Sequence, residues 1–159
     1  PLTDGLFRDS VRQTVQTTNH PITVDELLVD VAALKLLEDP ARFDVIVTTN
    51  LFGDILSDAA AYWGGGLGYA PSLNWGDGIA VAEPVHGSAP DIAGKGVANP
   101  IATILSAVLL VRFVWKRPDI ANQIEQAVHT VLASQPEVLI PTSRATERIA
   151  QAILSELGR

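Results

Sequence analysis

Apolar residues recur at helical spacing through the first forty residues of the chain. One side of a first helix is marked by four of them, Leu6, Phe7, Val11 and Val15. This spacing predicts an amphipathic helix over residues 4–18. In the stretch "TVDE", Thr23 as N-cap and Glu26 three residues later predict a capping box. A second helix is therefore expected from Thr23 to about Leu37, stopping near Pro40.

The middle of the chain changes from helical spacing to strand-like and irregular patterns. The β-branched run "FDVIVTT", 43–49, predicts a strand buried on both faces, which is typical of a sheet covered by helices. A helix is expected from about Leu51 to Trp63, ending in glycines. Residues 64–99 are rich in glycine and proline, and "GIAVAEPV", 78–85, is the strand expected among them.

The last third of the chain is predicted to be helical. Asn99 followed by Pro100 favours an N-cap and first-turn pair, and the helix that follows is apolar almost all round. Two more amphipathic helices are marked by their apolar residues, Ile120, Ile124, Val128, Val131 and Leu132 in one and Ile149, Ile153, Leu154 and Leu157 in the other. The predicted fold class is α/β, with more helix than strand.

Composition narrows the choice of partners and of location. The 159 residues carry a net charge of −7, which argues against nucleic acid or an anionic membrane as the main partner. The absence of cysteine excludes disulfides, thiolate metal sites and cysteine nucleophiles. No signal peptide is recognised, and the longest apolar run, 101–115, is too short to span a bilayer. A cytoplasmic location is expected.

Three aspartates are the candidate metal ligands. Asp54 and Asp58 lie four residues apart, which places both carboxylates on one helix face. A solvated helix face is the plainer interpretation of this pair, and a bound cation is the alternative. Asp30 lies on or beside an apolar stripe, where a buried carboxylate would be costly without compensation. Three converging aspartates would suit Mg²⁺ or Mn²⁺.

The stretch "EPVHGSAPDIAGKGVANP", 83–100, predicts a long functional loop. Its prolines stiffen it, and three glycines would let backbone approach a ligand closely, Gly87, Gly94 and Gly96. Taken alone, His86 would more often be a structural residue than a catalytic one, and Asp91 would more often be a turn residue. The loop as a whole is more specific than either residue.

The loop resembles the adenine-nucleotide loop of the β-decarboxylating dehydrogenases, which include isocitrate, isopropylmalate, homoisocitrate and tartrate dehydrogenases. "FDVIVTTNLFGDILSD" resembles their metal-binding segment, "LVDVAALKLL" the helix that supplies a third metal aspartate, and "TDGLF" the segment after their catalytic lysine. The motifs occur in the family's order, from residue 3 to about 113. "PLTDGLF", "RFDVIVTTN" and "GGGLGYAPS" are most similar to homoisocitrate dehydrogenases, with isopropylmalate second and isocitrate and tartrate third.

The resemblance implies a role for each candidate residue. It assigns Asp54 and Asp58 to Mg²⁺ or Mn²⁺ in one subunit, and Asp30 to the metal site of the neighbouring subunit. The residues implied to bind the cofactor are Glu83, His86, Gly87, Ser88, Ala89, Pro90, Asp91, Ile92 and Asn99, with Asn99 hydrogen-bonding adenine. The Asp91 carboxylate can accept hydrogen bonds from both ribose hydroxyls and repels a 2′-phosphate, so the expected cofactor is NAD rather than NADP.

The resemblance also implies a half-molecule. The chain matches the C-terminal half of the isocitrate/isopropylmalate dehydrogenase fold, in which helices flank a mixed sheet. Residues 1–65 would belong to a dimerisation and metal-binding domain, and residues 66–159 to the returning part of the cofactor domain. Each part would lack sheet partners, leaving open edges and uncovered apolar faces. A homodimer or higher assembly, or the N-terminal half, is the expected protein partner.

The implied reaction is NAD- and metal-dependent oxidative decarboxylation of a small-molecule 2-hydroxy acid, in which the metal lowers the hydroxyl pKa and later stabilises the enolate. The family's catalytic lysine and tyrosine are absent from these 159 residues, so no catalytic residue is assigned. Where the family usually has a Gly-Gly pair, this chain reads "EVLIPTSRATERIA". The alternative interpretation is an inactive fragment or remnant that dimerises or binds nucleotide without turnover.

Overall fold

The structure is a computed structural model that describes residues 2–18 and 20–158. The described residues up to Ala60 form one compact unit, and those from Ala61 onward form another. Across these residues there are six α-helices and one small two-stranded antiparallel sheet, which confirms the α/β class. No helix in the described part of the chain is long and apolar enough to cross a membrane.

The first unit is built from helices α1 (Leu2–Thr17), α2 (Val29–Glu38) and α3 (Asn50–Ala61). Helix α1 confirms the first predicted helix, although none of its described residues is buried. Helices α2 and α3 share a small core of three buried residues, Ala32, Leu36 and Leu56. This core is small for sixty residues, so much of the apolar surface of the unit faces outward.

The predicted capping box at Thr23 is wrong. Helix α2 begins only at Val29, and its N-cap, Leu28, makes no side-chain capping bond. The Glu26 carboxylate accepts a hydrogen bond from Arg12 Nε instead of reaching back to a helix N-terminus. A hydrogen bond between a guanidinium and a carboxylate is stronger than one to a neutral backbone N–H. The Glu26 carboxylate therefore binds Arg12 and is not available for a capping box.

The predicted strand at 43–49 is also wrong for this chain. These residues form no strand, and Val45 and Val47 are 80% and 62% exposed. A strand buried on both faces needs a neighbour on each edge and helices on each side, and no described residue supplies a ladder partner. The β-branched composition is right for a strand, but the tertiary partners that would make it one are not among the described residues.

The second unit begins with a hairpin of strands β1 (Pro71–Gly76) and β2 (Ile79–Pro84). The strands pair antiparallel, with Leu73 opposite Ala82, and a two-residue turn at Asp77 and Gly78 joins them. Gly78, the second turn residue, has φ +79°, a conformation that glycine adopts without steric cost. Strand β2 was predicted and β1 was missed, because "PSLNWG" contains proline, serine, asparagine and glycine, all poor strand formers.

Three helices complete the second unit: α4 (Ile101–Leu109), α5 (Pro118–Ser134) and α6 (Ala145–Leu157). A π-helical segment, Leu110–Val114, extends α4. The main core lies between these helices and contains six buried residues, Ile101, Ala127, Val128, Val131, Ile149 and Ile153. The predicted apolar stripes are therefore confirmed, except that Leu154 and Leu157 of α6 are exposed.

A buried hydroxyl joins the hairpin to helix α4. Ser106 is 2% exposed, and its Oγ donates to the Ala102 carbonyl oxygen at 2.8 Å. Ser106 Oγ also accepts a hydrogen bond from the backbone N–H of Ser72 in β1 at 3.3 Å. Both hydrogen-bonding capacities of the hydroxyl are used, as a buried polar group requires. The hairpin is thus held against the helix that begins where the long loop ends.

Candidate functional site

Asp54 and Asp58 occupy successive turns of α3, and both are exposed. Asp54 Oδ2 accepts a hydrogen bond from Asn50 Nδ2 at 3.2 Å. Within residues 2–18 and 20–158, no lysine or arginine forms an ion pair with either carboxylate. Two like charges one turn apart repel unless a cation compensates them, and the described chain offers none of its own.

Asp30 differs from the expectation that it lies against the apolar stripe. It is exposed in the first turn of α2, and its Oδ1 accepts the backbone N–H of Val31 at 2.9 Å. A carboxylate is favoured there because the first helical N–H groups lack intrahelical partners. No group of three acidic or histidine residues in the described chain is placed to hold a metal, so Asp30 does not converge with Asp54 and Asp58 within one chain.

The long loop between β2 and α4 is ordered by its own backbone. A short 3₁₀ turn, Pro90–Ile92, follows Ala89, which has φ +44°. The Ile92 N–H donates to the Ala89 carbonyl oxygen at 3.1 Å, and the Lys95 N–H donates to the Ile92 carbonyl oxygen at 3.1 Å. A non-glycine residue in the left-handed region costs energy, so its surroundings must hold it there.

The residues expected to bind a cofactor lie along one segment of chain. Most of them are exposed, namely Glu83, Gly87, Ser88, Ala89, Pro90, Asp91 and Ile92. His86 is half-buried, and its Nδ1 lies 2.9 Å from the Gly87 carbonyl oxygen. No atom lies within 4 Å of a Cβ added at Gly87, whose φ is not positive, so neither conformation nor crowding by the described chain requires glycine there.

Asn99 has a structural task at the end of the loop. Its Oδ1 accepts the backbone N–H of Ile101 at 3.0 Å, the bond expected of a cap, but α4 begins at Ile101 with Pro100 as its N-cap, one residue later than predicted. A Cβ added at Gly68 would lie 3.4 Å from both Asn99 Cβ and Asn99 Nδ2. Glycine at that position therefore leaves room for the Asn99 amide.

Thr146, at the start of α6, is a contact residue of the loop that the sequence analysis missed. Its Oγ1 donates to the Ala98 carbonyl oxygen at 2.5 Å, and its backbone N–H donates to the Gly96 carbonyl oxygen at 3.1 Å. A Cβ added at Gly96, which has φ +66°, would lie 3.4 Å from the backbone nitrogen of Arg144. No local sequence signal predicts this contact, because Thr146 and Ala98 are 48 residues apart.

Comparison with known proteins places these residues in a family. The family model described as isocitrate/isopropylmalate dehydrogenase matches residues 2–150. An isocitrate/homoisocitrate dehydrogenase of Thermus thermophilus is 49% identical over 159 residues, covering 99% of this chain and 47% of the relative. A homoisocitrate dehydrogenase of Methanocaldococcus jannaschii is 50% identical over 134 residues, covering 84% of this chain and 38% of the relative.

Solved structures agree with the sequence relatives. The isocitrate dehydrogenase of Methylococcus capsulatus aligns with a TM-score of 0.88 at 40% identity, over 98% of this chain and 46% of that chain. The chain thus spans about half the length of the proteins it resembles. The resemblance to decarboxylating dehydrogenases stated from the motifs is confirmed, and so is the match to half of their fold. The chain belongs to the isocitrate/isopropylmalate dehydrogenase family.

Proposed function

We propose that the chain is the C-terminal half of an NAD- and divalent-metal-dependent dehydrogenase that oxidatively decarboxylates a 2-hydroxy acid. In this proposal residues 1–65 serve dimerisation and metal binding, and residues 66–159 serve cofactor binding. The observation that carries it is the exposed carboxylate pair on α3, Asp54 and Asp58, with no cation of the described chain beside it. The family match over residues 2–150 supplies the reaction class.

The donor set of α3 fits Mg²⁺ or Mn²⁺. Both ions prefer carboxylate oxygens, and Mg²⁺ usually takes one or two protein carboxylates and leaves its other positions to water and substrate. Asp54 and Asp58 provide that number from one helix, and Asp30 of a second subunit would add a third. When bound, such an ion supplies charge that favours ionisation of the substrate hydroxyl. The residues of this chain hold and orient the ion.

The loop fits the adenosine half of NAD. Asp91 is exposed on the 3₁₀ turn. Its carboxylate can accept hydrogen bonds from both ribose hydroxyls and would repel a 2′-phosphate. The open space at Gly87 allows a ligand to approach the backbone. Asn99 uses its Oδ1 to cap α4, and its amide nitrogen can donate to a base. The loop would hold the nucleotide, and NAD, when bound, would supply a hydride acceptor.

The proposed substrate is homoisocitrate first, then isopropylmalate, with isocitrate and tartrate third. The names of the relatives support this range, because those of Thermus thermophilus and Methanocaldococcus jannaschii are called isocitrate/homoisocitrate and homoisocitrate dehydrogenases. A 3-isopropylmalate dehydrogenase of Deinococcus radiodurans is 45% identical over 153 residues. The three names share one chemistry, a 2-hydroxy acid that yields a 3-carboxy-2-oxo acid on oxidation.

The exposed apolar faces of α2 and α3 support a dimer. The outward apolar residues on these helices are Val31, Leu34, Leu37, Leu51 and Ile55. Faces of this kind on two neighbouring helices are typical of a helix-bundle interface. A two-fold partner would cover them and bring a second Asp30 towards the carboxylate pair of α3. The cytoplasmic location expected from the sequence stays a prediction.

A second candidate function is a non-catalytic protein that dimerises or binds nucleotide. The observations in its favour are the exposed apolar faces of α2 and α3 and the ordered loop, which could serve association and nucleotide binding without turnover. Under this alternative the chain binds AMP and Mn²⁺ but reduces no NAD in any assembly. Under the first proposal it reduces NAD once the other half of the enzyme is supplied.

The experiment that separates the two joins this chain to the N-terminal half of the 49% identical Thermus thermophilus relative. NAD reduction is measured with homoisocitrate, isopropylmalate or isocitrate and Mg²⁺. The fused protein is expected to turn over, and Asp54→Asn in it is expected to abolish turnover, whereas the 159-residue chain alone is expected to be inactive. A folded, dimeric fusion without activity on all three acids contradicts the first proposal.

A further inference from the structure

We propose that Thr146 is a positioning residue for the long loop between β2 and α4, acting through the backbone of Gly96 and Ala98. This inference rests on the proposed function, because it assigns Thr146 to the adenosine side of the same site. The hydroxyl and the backbone N–H of Thr146 bind two carbonyl oxygens of the loop, those of Ala98 at 2.5 Å and Gly96 at 3.1 Å. We call this pair of hydrogen bonds the loop clamp.

The loop clamp satisfies groups on both sides. The first N–H groups of an α-helix have no acceptor within the helix, and the Thr146 N–H is one of them in α6. The Gly96 carbonyl oxygen provides the acceptor. The loop, in turn, gains two fixed points from a helix that is packed in the core through Ile149 and Ile153. The clamp therefore bonds the loop to a helix that core packing holds in place.

The start of α6 is itself held in place. The Arg148 guanidinium donates to Thr142 Oγ1 at 2.9 Å and to the carbonyl oxygens of Ile140 at 3.0 Å and Val138 at 3.3 Å. The Ala145 N–H donates to the Thr142 carbonyl oxygen at 3.0 Å. The turn before α6 is thus fastened to the helix by one side chain, and Thr146 follows it directly. Its position is determined before any ligand is bound.

The clamp reaches the proposed adenine contact through one peptide bond. Ala98 precedes Asn99, whose Oδ1 is bound to the Ile101 N–H. The Thr146 hydroxyl holds the carbonyl group of Ala98, and the Ile101 N–H holds the side chain of the next residue, Asn99. Ordering a loop residue costs backbone entropy, and a loop ordered beforehand spares the ligand that cost. Thr146 thereby strengthens nucleotide binding without touching the nucleotide.

The test replaces Thr146 by valine, which keeps the shape and removes the hydroxyl, and by serine, which restores it. Thr130→Val is the matched control, because Thr130 Oγ1 also donates to a backbone carbonyl, that of Gln126 at 2.9 Å, but lies on α5 away from the loop. AMP binding to the 159-residue chain is measured by titration calorimetry. Hydrogen exchange of the loop amides from Ala93 to Asn99 is measured without nucleotide, and urea unfolding checks that each variant is folded.

Thr146→Val is expected to bind AMP about three- to tenfold more weakly, the usual effect of one lost hydrogen bond, and to exchange its loop amides faster. Thr146→Ser is expected to restore both properties, and Thr130→Val to match the wild type. Unchanged loop exchange in Thr146→Val, or an equal loss of affinity in Thr130→Val, overturns the inference. If the wild-type chain binds no AMP, the proposed function fails, and the positioning role falls with it.

Discussion

Arg117 and Asp119 form a two-bond ion pair at the N-terminus of α5. Arg117 Nη2 donates to Asp119 Oδ2 at 2.7 Å, and Arg117 Nε donates to Asp119 Oδ1 at 3.0 Å. The hydrogen bond from Arg117 is the largest cause that lowers the pKa of Asp119 from 3.8 to about 2. The same pair raises the pKa of Arg117. Because both side chains are exposed, salt screens the attraction.

The Arg117–Asp119 pair predicts a pH-dependent contribution to stability. A carboxyl whose pKa is lower in the folded protein than in the unfolded one stabilises the fold above the unfolded value, and this contribution is lost as pH falls through the folded value. Urea unfolding of wild type and Asp119→Asn is therefore expected to differ at pH 5. The difference should shrink between pH 3.8 and about 2. A difference that stays constant from pH 5 to pH 2 contradicts the prediction.

Asp54→Asn and Asp58→Asn are expected to weaken Mn²⁺ binding by about tenfold or more with little loss of fold. Both carboxylates are exposed, so the substitutions remove charge rather than packing. Asp39→Asn is the matched control, since Asp39 is also exposed in the first unit. Titration calorimetry measures the affinity, and circular dichroism checks the helices. Equal Mn²⁺ affinity in all three variants would remove the basis for a metal site on α3.

Asp91→Lys combined with Ile92→Tyr is expected to shift binding from AMP towards 2′,5′-ADP. The double substitution removes the acceptor for the ribose hydroxyls and adds a cation and a hydroxyl for a 2′-phosphate. The ratio of the two dissociation constants should move towards 2′,5′-ADP by about tenfold or more, the value of a charged hydrogen bond. If the ratio does not move, Asp91 does not face the ribose.

Leu34→Asp is expected to weaken self-association and, with it, Mn²⁺ binding. Leu34 is 54% exposed on α2, so aspartate costs the single chain little, but in a dimer it would bury a charge without a partner. Leu154→Asp is the matched control, because Leu154 of α6 is 60% exposed and lies outside the first unit. Sedimentation is compared with and without Mn²⁺. A monomeric wild type at tens of micromolar, or equal dimerisation of both variants, rules out this interface.

Elements with their own periodicity were predictable from the sequence. Helices α1, α3, α5 and α6 follow apolar stripes that need no distant partner to be recognised, and the Asn99 cap is a local bond within two residues. Strand β2 was also predictable, because Ile79 and Val81 alternate with alanine within the strand itself. The helices of the fold were therefore largely predictable before the structure, whereas only one of its two described strands was.

What could not be predicted depends on distant residues. Strand β1 forms because β2 lies beside it, although its own residues disfavour a strand. The capping box failed because Arg12, fourteen residues away, takes Glu26. Thr146 reaches the loop across 48 residues. For the candidate site, residue types and order were readable from the motifs, whereas the exposure of Asp30 and the contacts that order the loop required coordinates.

The exposed segment at 43–49 has a consequence for how the chain behaves in a cell. Exposed Val45 and Val47 lie in a β-branched run that pairs with no strand among the described residues, and such runs favour pairing between chains. Asp44 is the single charge in that segment that opposes it. A chain in which no other strand pairs with this segment would therefore tend to aggregate. Its yield as soluble protein would report whether the segment is paired.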